Sequence, residues 1–309
     1  MFVVCGEALM DVFAVGDTTT GTTLDARVGG SPFNVAVGLA RLGQPVSFFG
    51  AVSSGFLGER LMRALREAGV ATATTKRVDA PTTLGLVGLD ARGVPSYAFY
   101  GDDAADRQLA PDALALLPAR IDAIHLGSFA MVVEPIASTL RALVERERGS
   151  ALICYDPNVR LNVEPDLAAW REVLHWMLPR SQVLKVSEED LSLLQPGVAV
   201  ERFAASALAE GVRLVVVTRG DGGAIAWAGS EPVEVPVVPV RLVDTVGAGD
   251  SFQAALLTWL AEHGCLSTQA LGLSFVPRLR EALRFAVAAA ALTCSRRGAD
   301  LPRRSELVD

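Results

Sequence analysis

Short apolar runs alternate along the chain with stretches in which apolar residues recur every three or four positions. Residues 46–52, VSFFGAV, are mostly apolar and predict a buried strand, and residues 56–69 predict a helix with one apolar face. The same pairing recurs further on, with helices predicted over 135–148, 167–178 and 188–194. This alternation predicts an α/β fold with a doubly wound, mainly parallel sheet and helices on both of its faces.

Two segments break this alternation, residues 9–30 and 82–103. We predict a β-hairpin in each, with the turn of the second at DARG, 90–93. Because the added strands must lie outside the doubly wound sheet, we expect them to form a small β lid near a ligand site. The alternative is a structural extension without a ligand role. The prediction is therefore a single domain over 1–309 with β-lid insertions at about 9–30 and 82–103.

The composition of the 309 residues is that of a globular enzyme, with 50% hydrophobic and 20% charged residues. A net charge of −7, with no run of like charges, argues against a nucleic-acid partner. The four cysteines form no CxxC pair, so we expect no zinc or redox site and a reducing compartment. The chain shows neither a signal-peptide pattern nor an apolar run of roughly 18 residues, which predicts a cytoplasmic protein without membrane contact.

The segment 244–257, DTVGAGDSFQAALL, combines small residues, an acid and the start of an apolar helix. Helical spacing begins after Gly247, Ala248 and Gly249, so these residues lie at a helix N-terminus, where free N–H groups and the helix dipole bind anions. A dinucleotide GxGxxG pattern does not fit, since its third glycine would fall at Phe252, and a Walker GK[ST] pattern does not fit, since neither of the two lysines follows a glycine. Beside such an anion hole, Asp250 is either a general base for an attacking hydroxyl or a helix N-terminal residue that favours the dipole.

Three further segments carry polar residues where a ligand is expected. Residues 29–43, GGSPFNVAVGLARLG, predict a second glycine-rich helix start, with Ser31 as the N-cap and Asn34 facing a ligand hydroxyl or acting as a second cap. Residues 156–160, DPNVR, and 218–223, TRGDGG, follow predicted strands, at the carboxyl ends where open α/β sheets bind ligands. The former suits sugar hydroxyls, phosphate or magnesium, and the latter suits nucleotide phosphates. We expect these segments to line one crevice.

These motifs, in this order, resemble the ribokinase-like (PfkB) family of carbohydrate kinases over essentially the whole chain. Residues 244–257 match the C-terminal signature of that family and residues 29–43 match the N-terminal one. The resemblance implies an enzyme that uses ATP and Mg²⁺, with K⁺ as a further cation, to phosphorylate a hydroxymethyl group of a small sugar. Within the family the chain is most similar to bacterial fructokinases, which implies D-fructose as the substrate and fructose 6-phosphate as the product. The alternatives are 2-keto-3-deoxygluconate, another sugar or a nucleoside, or an inactive sugar-binding sensor.

The resemblance also implies roles for individual residues. Asp250 is the base, and the amides of 247–249 form the anion hole. Sugar contacts are implied for Asp11, Gly30, Asn34, Phe99, Asn158 and Arg160, with Tyr97 as a second aromatic residue of the lid. ATP contacts are implied for Lys185, Thr218, Gly220 and Gly223.

The chain departs from the family pattern at the magnesium site. An Asn-x-x-Glu stretch, which organises magnesium largely through water, is replaced here by Ser187 and Asp190. We expect Asp190 to hold the hydration shell of the ion. The resemblance also implies a monovalent cation near Asp244 and the loop 295–298. An exposed lid edge would allow two chains to form a homodimer.

Overall fold

A parallel sheet lies at the centre of the computed structural model, which describes residues 1–89, 95–272 and 275–307. The turn predicted at 90–93 and the side chain of Tyr97 lie outside this description. The strands are β1 (Phe2–Cys5), β2 (Leu9–Asp17), β3 (Thr22–Gly29), β4 (Val46–Phe49), β5 (Ala51–Ser53), β6 (Lys76–Val78), β7 (Leu84–Leu89), β8 (Pro95–Tyr100), β9 (Ala123–Gly127), β10 (Leu152–Asp156), β11 (Val183–Ser187), β12 (Leu214–Thr218), β13 (Ala224–Trp227) and β14 (Val233–Val235).

The order of the strands in the central sheet creates a switch point. Within the described residues the order is β14-β13-β12-β11-β10-β9-β1-β4, with parallel pairing from β12 to β4 and antiparallel pairing of β13 and β14. The chain runs from β1 to β4 on one side and from β9 to β12 on the other, so its direction reverses between β1 and β9. In open α/β sheets, ligands bind at the carboxyl ends of the strands beside such a point. The predicted doubly wound sheet is confirmed.

Helices cover both faces of the sheet. They are α1 (Ser31–Arg41), α2 (Phe56–Ala68), α3 (Ile136–Glu147), α4 (Leu167–Met177), α5 (Glu188–Leu194), α6 (Val200–Glu210), α7 (Ala248–Glu262) and α8 (Leu279–Cys294). One core is built with α1, α2, α7 and α8, and the other with α3 to α6. In the part of the chain that the structure describes, no helix has the length and apolar character needed to span a membrane.

Burial on both faces explains why the central strands are apolar at successive positions. In β1, Phe2 and Val4 belong to one core, whereas Val3 and Cys5 belong to the other. Successive side chains of a strand point to opposite faces, so a strand covered on both faces needs apolar residues at every position. The same arrangement leaves the carboxyl ends of these strands as the place where polar residues accumulate.

The two segments predicted as hairpins form a separate four-stranded sheet. Its order is β3-β2-β7-β8, with antiparallel pairing within each hairpin and parallel pairing of β2 with β7. The N–H of Met10 donates to the carbonyl of Thr83 at 3.0 Å, which joins the bases of the two hairpins. Met10 and Val12 are buried against the body of the protein, while Val15 and Leu24, further along, are exposed. The sheet therefore projects beyond the end of the central sheet.

The single strand predicted over 46–52 is wrong. The structure has β4 and β5 on either side of Gly50, and β5 pairs with β6 in a separate two-stranded sheet. A Cβ atom at Gly50 would overlap the carbonyl oxygen of Gly6, so the chain passes too close to the end of β1 to continue in the central sheet. This contact joins residues far apart in sequence, and a local pattern does not reveal it.

Candidate active site

Helix α7 begins with a set of open amide groups. Gly247 precedes it in the left-handed conformation, with φ of 78°. The N–H of Ala248 donates to the carbonyl of Thr245 at 3.2 Å, so the turn uses an amide that was predicted to belong to the anion hole. The N–H groups of Gly247, Gly249 and Asp250 have no protein acceptor among the described residues. The open donors are therefore those of Gly247 and Gly249, joined by that of Asp250.

Two side chains of α1 hold the carboxylate of Asp250. The Ser31 hydroxyl donates to Oδ1 at 2.6 Å, and the Asn34 amide donates to Oδ2 at 2.8 Å. Ser31 was predicted as the N-cap of α1, but Gly30 occupies that position and makes no side-chain cap. Asn34 likewise caps nothing. Because residues three apart lie on the same face of a helix, both donors reach the same carboxylate.

The environment of Asp250 suits a base. The residue is only 9% exposed, and burial raises the pKa of this carboxyl. The hydrogen bonds from Ser31 and Asn34 oppose this increase, as do the positive charges of Lys185 and Arg160. A carboxylate whose pKa is raised accepts a proton more readily, and its two donors fix the direction of its oxygens.

Asp11 faces the same space from the lid. Burial raises the pKa of Asp11 to about 6, Arg160 opposes the shift, and the negative charge of Asp250 adds to it. A Cβ atom at Gly85 would lie 3.1 Å from Oδ1 of Asp11 and 3.3 Å from the ring of Phe99. Glycine at this position therefore leaves room for both side chains. The predicted sugar contacts on the lid strands are thus adjacent.

The loop after β10 directs a cation into the crevice. Asn158 adopts the left-handed conformation with φ of 41°, and the Arg160 guanidinium is held by the carbonyl of Val159 at 2.9 Å. Burial raises the pKa of each acid around Arg160, and the charge of Arg160 opposes this increase. These acids are Glu7, Asp11, Asp190 and Asp250. Arg160 therefore lies between carboxylates from the lid, the sheet and α7.

The predicted nucleotide turn lies further along the same edge. Thr218 ends β12 and is in register with Ser187 at the end of β11. A single turn, Gly220–Gly222, follows, and Gly223 has φ of 81°. A Cβ atom at Gly223 would overlap the carbonyl oxygen of Val235, so only glycine fits there. The carboxyl ends of β1, β9, β10, β11 and β12 thus form one continuous edge.

Comparison with known proteins agrees with this geometry. A profile of the pfkB family carbohydrate kinases matches residues 1–306. The chain belongs to this family. It is 35% identical to a fructokinase of Rhizobium leguminosarum bv. trifolii over 86% of this chain and 82% of that protein, and 34% identical to a probable fructokinase-4 of Arabidopsis thaliana over 98% and 94%. The crystal structure of the fructokinase of Xylella fastidiosa with bound ATP superposes with a TM-score of 0.86 and 29% identity, over 99% of this chain and 96% of that one.

In this carbohydrate kinase, Asp190 lies in the first turn of α5, directly after β11. Its N–H donates to the Ser187 hydroxyl at 3.0 Å, which caps α5, and its Oδ1 accepts from the N–H of Val159 at 3.2 Å. Burial raises the pKa of Asp190, and the charge of Asp156 adds to the shift. Over the described ranges, no group of three or more histidine, cysteine or acidic residues is arranged to hold a metal ion.

Asp244 fixes the loop that was predicted to hold a monovalent cation. Its Oδ1 accepts from the N–H of Val246 at 3.1 Å, and its Oδ2 accepts from the N–H of Gly298 at 2.8 Å. Both oxygens of Asp244 therefore take part in hydrogen bonds to backbone amides. The carboxylate connects the segment before α7 to the loop 295–298, which follows α8.

The sequence interpretation overlooked Glu7 and the role of Ser31. Glu7 follows β1 and is 1% exposed, burial raises its pKa to about 8, and its Oε2 has no partner among the described residues. The rule that singled out 156–160, a polar residue directly after a buried strand, would have found it. The contact of Ser31 with Asp250 spans 219 positions, and no local pattern indicates it.

Proposed function

We propose that this kinase transfers the γ-phosphoryl group of ATP to a hydroxymethyl group of D-fructose and forms fructose 6-phosphate. The observation that carries the proposal is the carboxylate of Asp250, held by Ser31 and Asn34 next to the open amides at the start of α7. The similarity to fructokinases supports D-fructose as the acceptor.

The sugar would lie between the lid and α1. Asp11, Asn34 and Arg160 present a carboxylate, an amide and a guanidinium to its hydroxyl groups, a mixture that suits a polyol. Gly30 would contact the sugar through its backbone; glycine is needed there because φ is 103° and a Cβ atom would lie 2.8 Å from the carbonyl oxygen of Glu7. The ring of Phe99 would cover an apolar face. Asn158 would contact the sugar from the end of β10.

The chemical step is an in-line displacement. Asp250 accepts the proton of the attacking hydroxymethyl group while that oxygen forms a bond to the γ-phosphorus. The bond from this phosphorus to the bridging oxygen breaks, and its electron pair leaves with ADP. The amides of Gly247, Gly249 and Asp250 would stabilise charge on the equatorial oxygens. Lys185, Thr218, Gly220 and Gly223 would bind ATP along the same edge.

Magnesium fits this crevice as a hydrated ion. Oδ2 of Asp190 has no protein donor among the described residues, and carboxylate, water and phosphate oxygens are the ligands that Mg²⁺ prefers. When bound, with Asp190 holding its hydration shell, Mg²⁺ would supply positive charge that neutralises part of the charge of the phosphates. A monovalent cation, with K⁺ as the candidate, would lie at the loop 295–298 that Asp244 holds.

We place the enzyme in the cytoplasm. Its cysteines, Cys5, Cys154, Cys265 and Cys294, are all free thiols. Burial raises the pKa of Cys5 and Cys154, so these thiols stay protonated and unreactive. A reducing compartment that supplies ATP suits a protein with such thiols.

Steady-state ADP release across a panel of acceptors tests the proposal. The panel contains D-fructose, 2-keto-3-deoxygluconate, adenosine and D-ribose, each with ATP and Mg²⁺. We expect D-fructose to give the highest kcat/KM. Coupling the product to phosphoglucose isomerase identifies it, because fructose 6-phosphate is consumed and fructose 1-phosphate is not.

Three results would contradict different parts of the proposal. A kcat/KM for another acceptor about tenfold above that for D-fructose would overturn the choice of sugar, since this difference corresponds to about 1.4 kcal/mol. A product that the isomerase does not consume would overturn the choice of hydroxyl. Sugar binding without ADP release for any acceptor would indicate a sensor instead of an enzyme.

A further inference from the structure

Lys185 lies close to Gly249 at the start of α7. It is on β11, its side chain is 6% exposed, and its Nζ donates to Oδ2 of Asp156 at 2.7 Å. An ammonium group has three donors, and this is the one hydrogen bond that Nζ makes to a described residue. A Cβ atom at Gly249 would lie 3.2 Å from this Nζ, so the unused donors are close to the exposed start of the helix.

The surroundings of Lys185 keep it charged and leave it incompletely paired. Burial disfavours the ammonium, but Asp156, Asp250 and Asp190 outweigh this effect and raise the pKa of Lys185. Oδ1 of Asp156 is buried and has no partner among the described residues. The neighbouring His125 is neutral at physiological pH, because burial lowers its pKa to about 4. The ammonium of Lys185 thus faces several carboxylates at the position where a phosphoryl group would enter.

We propose that Lys185 is a catalytic residue whose ammonium, anchored by Asp156, contacts the transferred phosphoryl group in the transition state. The inference rests on the proposed function and adds a charged donor to the anion hole. As the bond to the attacking oxygen forms and the bond to ADP breaks, negative charge is spread over the equatorial oxygens. A compact ammonium is suited to bind them as a point charge. Asp156 is a positioning residue, since it directs Nζ towards Gly249.

The competing interpretation is that Asp156 and Lys185 form only a structural ion pair. Removing one partner of a buried pair leaves an unpaired charge and destabilises the fold, whatever the role of the pair in catalysis. Replacing both partners by neutral, similarly shaped residues restores the balance of charge. The Asp156→Asn/Lys185→Gln double variant therefore separates folding from catalysis, because its two amides can still form a hydrogen bond.

The kinetic test compares kcat, KM and melting temperature for Lys185→Gln and the double variant. We expect the double variant to recover most of the melting temperature that Lys185→Gln loses, while its kcat remains lower by about 10²-fold or more, as for loss of a transition-state donor. The KM for D-fructose should change little. Lys76→Gln is the matched control, because Lys76 is the other lysine of the chain and pairs on the surface with Asp112 at 3.0 Å.

A spectroscopic test uses the unmodified protein. With only two lysines, ¹⁵Nζ-lysine labelling gives two ammonium resonances, and Lys76→Gln assigns them by removing one. Addition of ADP, fluoroaluminate and D-fructose, which mimic the transition state, should shift the Lys185 resonance. The Lys76 resonance should stay where it is.

Two outcomes would overturn the inference. One is a double variant that regains both the melting temperature and the kcat of the parent, since the pair would then be structural. The other is an unmoved Lys185 resonance under conditions in which ADP, fluoroaluminate and fructose raise the melting temperature, and thus bind. A parent protein that phosphorylates no acceptor of the panel would overturn the proposed function first, and the role of Lys185 with it.

Discussion

At the scale of single residues, Gly249 shows that a glycine can be needed for space instead of for conformation. Its φ is not in the left-handed range, in contrast to that of Gly247, which is 78°. The missing side chain leaves a path from the open amides to Nζ of Lys185. Alanine therefore fits the backbone conformation at this position, but its methyl group would obstruct access to Lys185.

This difference makes Gly249→Ala a precise probe. We expect the melting temperature to stay constant or rise, since alanine stabilises a helix relative to glycine by roughly 0.5–1 kcal/mol. We expect kcat to fall by about tenfold or more, because the new methyl group would lie 3.2 Å from Nζ of Lys185 while the amide is kept. Gly149→Ala is the matched control, because Gly149 lies outside the crevice, its φ is not in the left-handed range, and a Cβ atom there would meet no atom within 4 Å. An unchanged kcat would contradict the spatial role of Gly249.

Glu7 makes stability depend on pH. Burial raises the pKa of Glu7 from 4.5 to about 8. Between these values the folded protein holds a proton that the unfolded chain has lost, so the free energy of unfolding falls as pH rises. At about 1.4 kcal/mol per pKa unit, the decrease from Glu7 is on the order of a few kcal/mol. Asp11 and Asp106, whose pKa values burial raises to about 6, act in the same direction at lower pH.

Denaturant unfolding from pH 5 to pH 9 checks this effect. Glu7→Gln, which mimics the protonated acid, should be more stable than the parent at pH 9 and similar to it at pH 5, so part of the slope disappears. The exposed Glu281→Gln is the matched control. A Glu7→Gln variant whose free energy of unfolding falls with pH as steeply as that of the parent would show that Glu7 is ionised in the folded protein.

The sequence predicted residues of the site where local chemistry constrained them. Asp250 was predicted because a carboxylate repels the anion that the adjacent helix start binds, so a carboxylate at that position indicates a chemical role. Asp156 and Arg160 were found because they follow an apolar strand. The partner of Asp250, Ser31, was assigned to a cap because Ser-Pro at a helix start has a local explanation, while its contact with Asp250 exists only after α1 and α7 pack together.

At the scale of elements, helices with one apolar face were predicted well. The predicted helix 56–69 is Phe56–Ala68 in the structure, and 188–194 is Glu188–Leu194. The split of 46–52 was not predictable, because the approach of Gly50 to Gly6 is a tertiary contact. Tertiary packing also determines where the hairpins lie, because the sequence pattern within each hairpin does not specify its position in the fold.

We expect the sheet formed by the two hairpins to act as a lid. A Cβ atom at Gly298 would lie 2.8 Å from Nη1 of Arg27, so β3 reaches the loop 295–298 beside the start of α7. The sheet thus covers the crevice from Asp11 to this loop. A lid that closes over the sugar would exclude water from the phosphoryl transfer.

Hydrogen exchange tests this role. We expect residues 9–30 and 82–103 to exchange more slowly when D-fructose is saturating, because closure holds the hairpins against the body of the protein. The strands β12 and β13 are the internal control, since they lie in the buried sheet away from the sugar. Unchanged exchange in both hairpins would support a structural extension without a ligand role.

At the scale of the whole molecule, the lid offers an edge for a second copy. Its outer strands β3 and β8 pair on one side within the described residues. Large apolar side chains on the lid are exposed, with Val15 at 48%, Leu24 at 51% and Tyr100 at 62%. Because unpaired edges with apolar side chains favour association, we expect a homodimer through the lid.

Sedimentation velocity checks the dimer. The parent should sediment as a dimer, and Leu24→Asp should sediment as a monomer, since a carboxylate would be buried in the contact. Leu116→Asp is the matched control, because Leu116 is an exposed leucine outside the lid and its replacement should leave the dimer intact. A parent that remains monomeric at high protein concentration would contradict the prediction.

The kcat of Asp250→Asn tests the assignment of the base most directly. Asparagine keeps the shape, and the Ser31 hydroxyl can accept from its amide while Asn34 donates to its oxygen. We expect kcat to fall by about 10²–10⁴-fold, with little change in the binding of ATP and D-fructose and with an equal or higher melting temperature. If Asp250 only favours the helix dipole, kcat stays near normal and about 0.3–1 kcal/mol of stability is lost. A kcat within about threefold of the parent would contradict the role of Asp250 as the base.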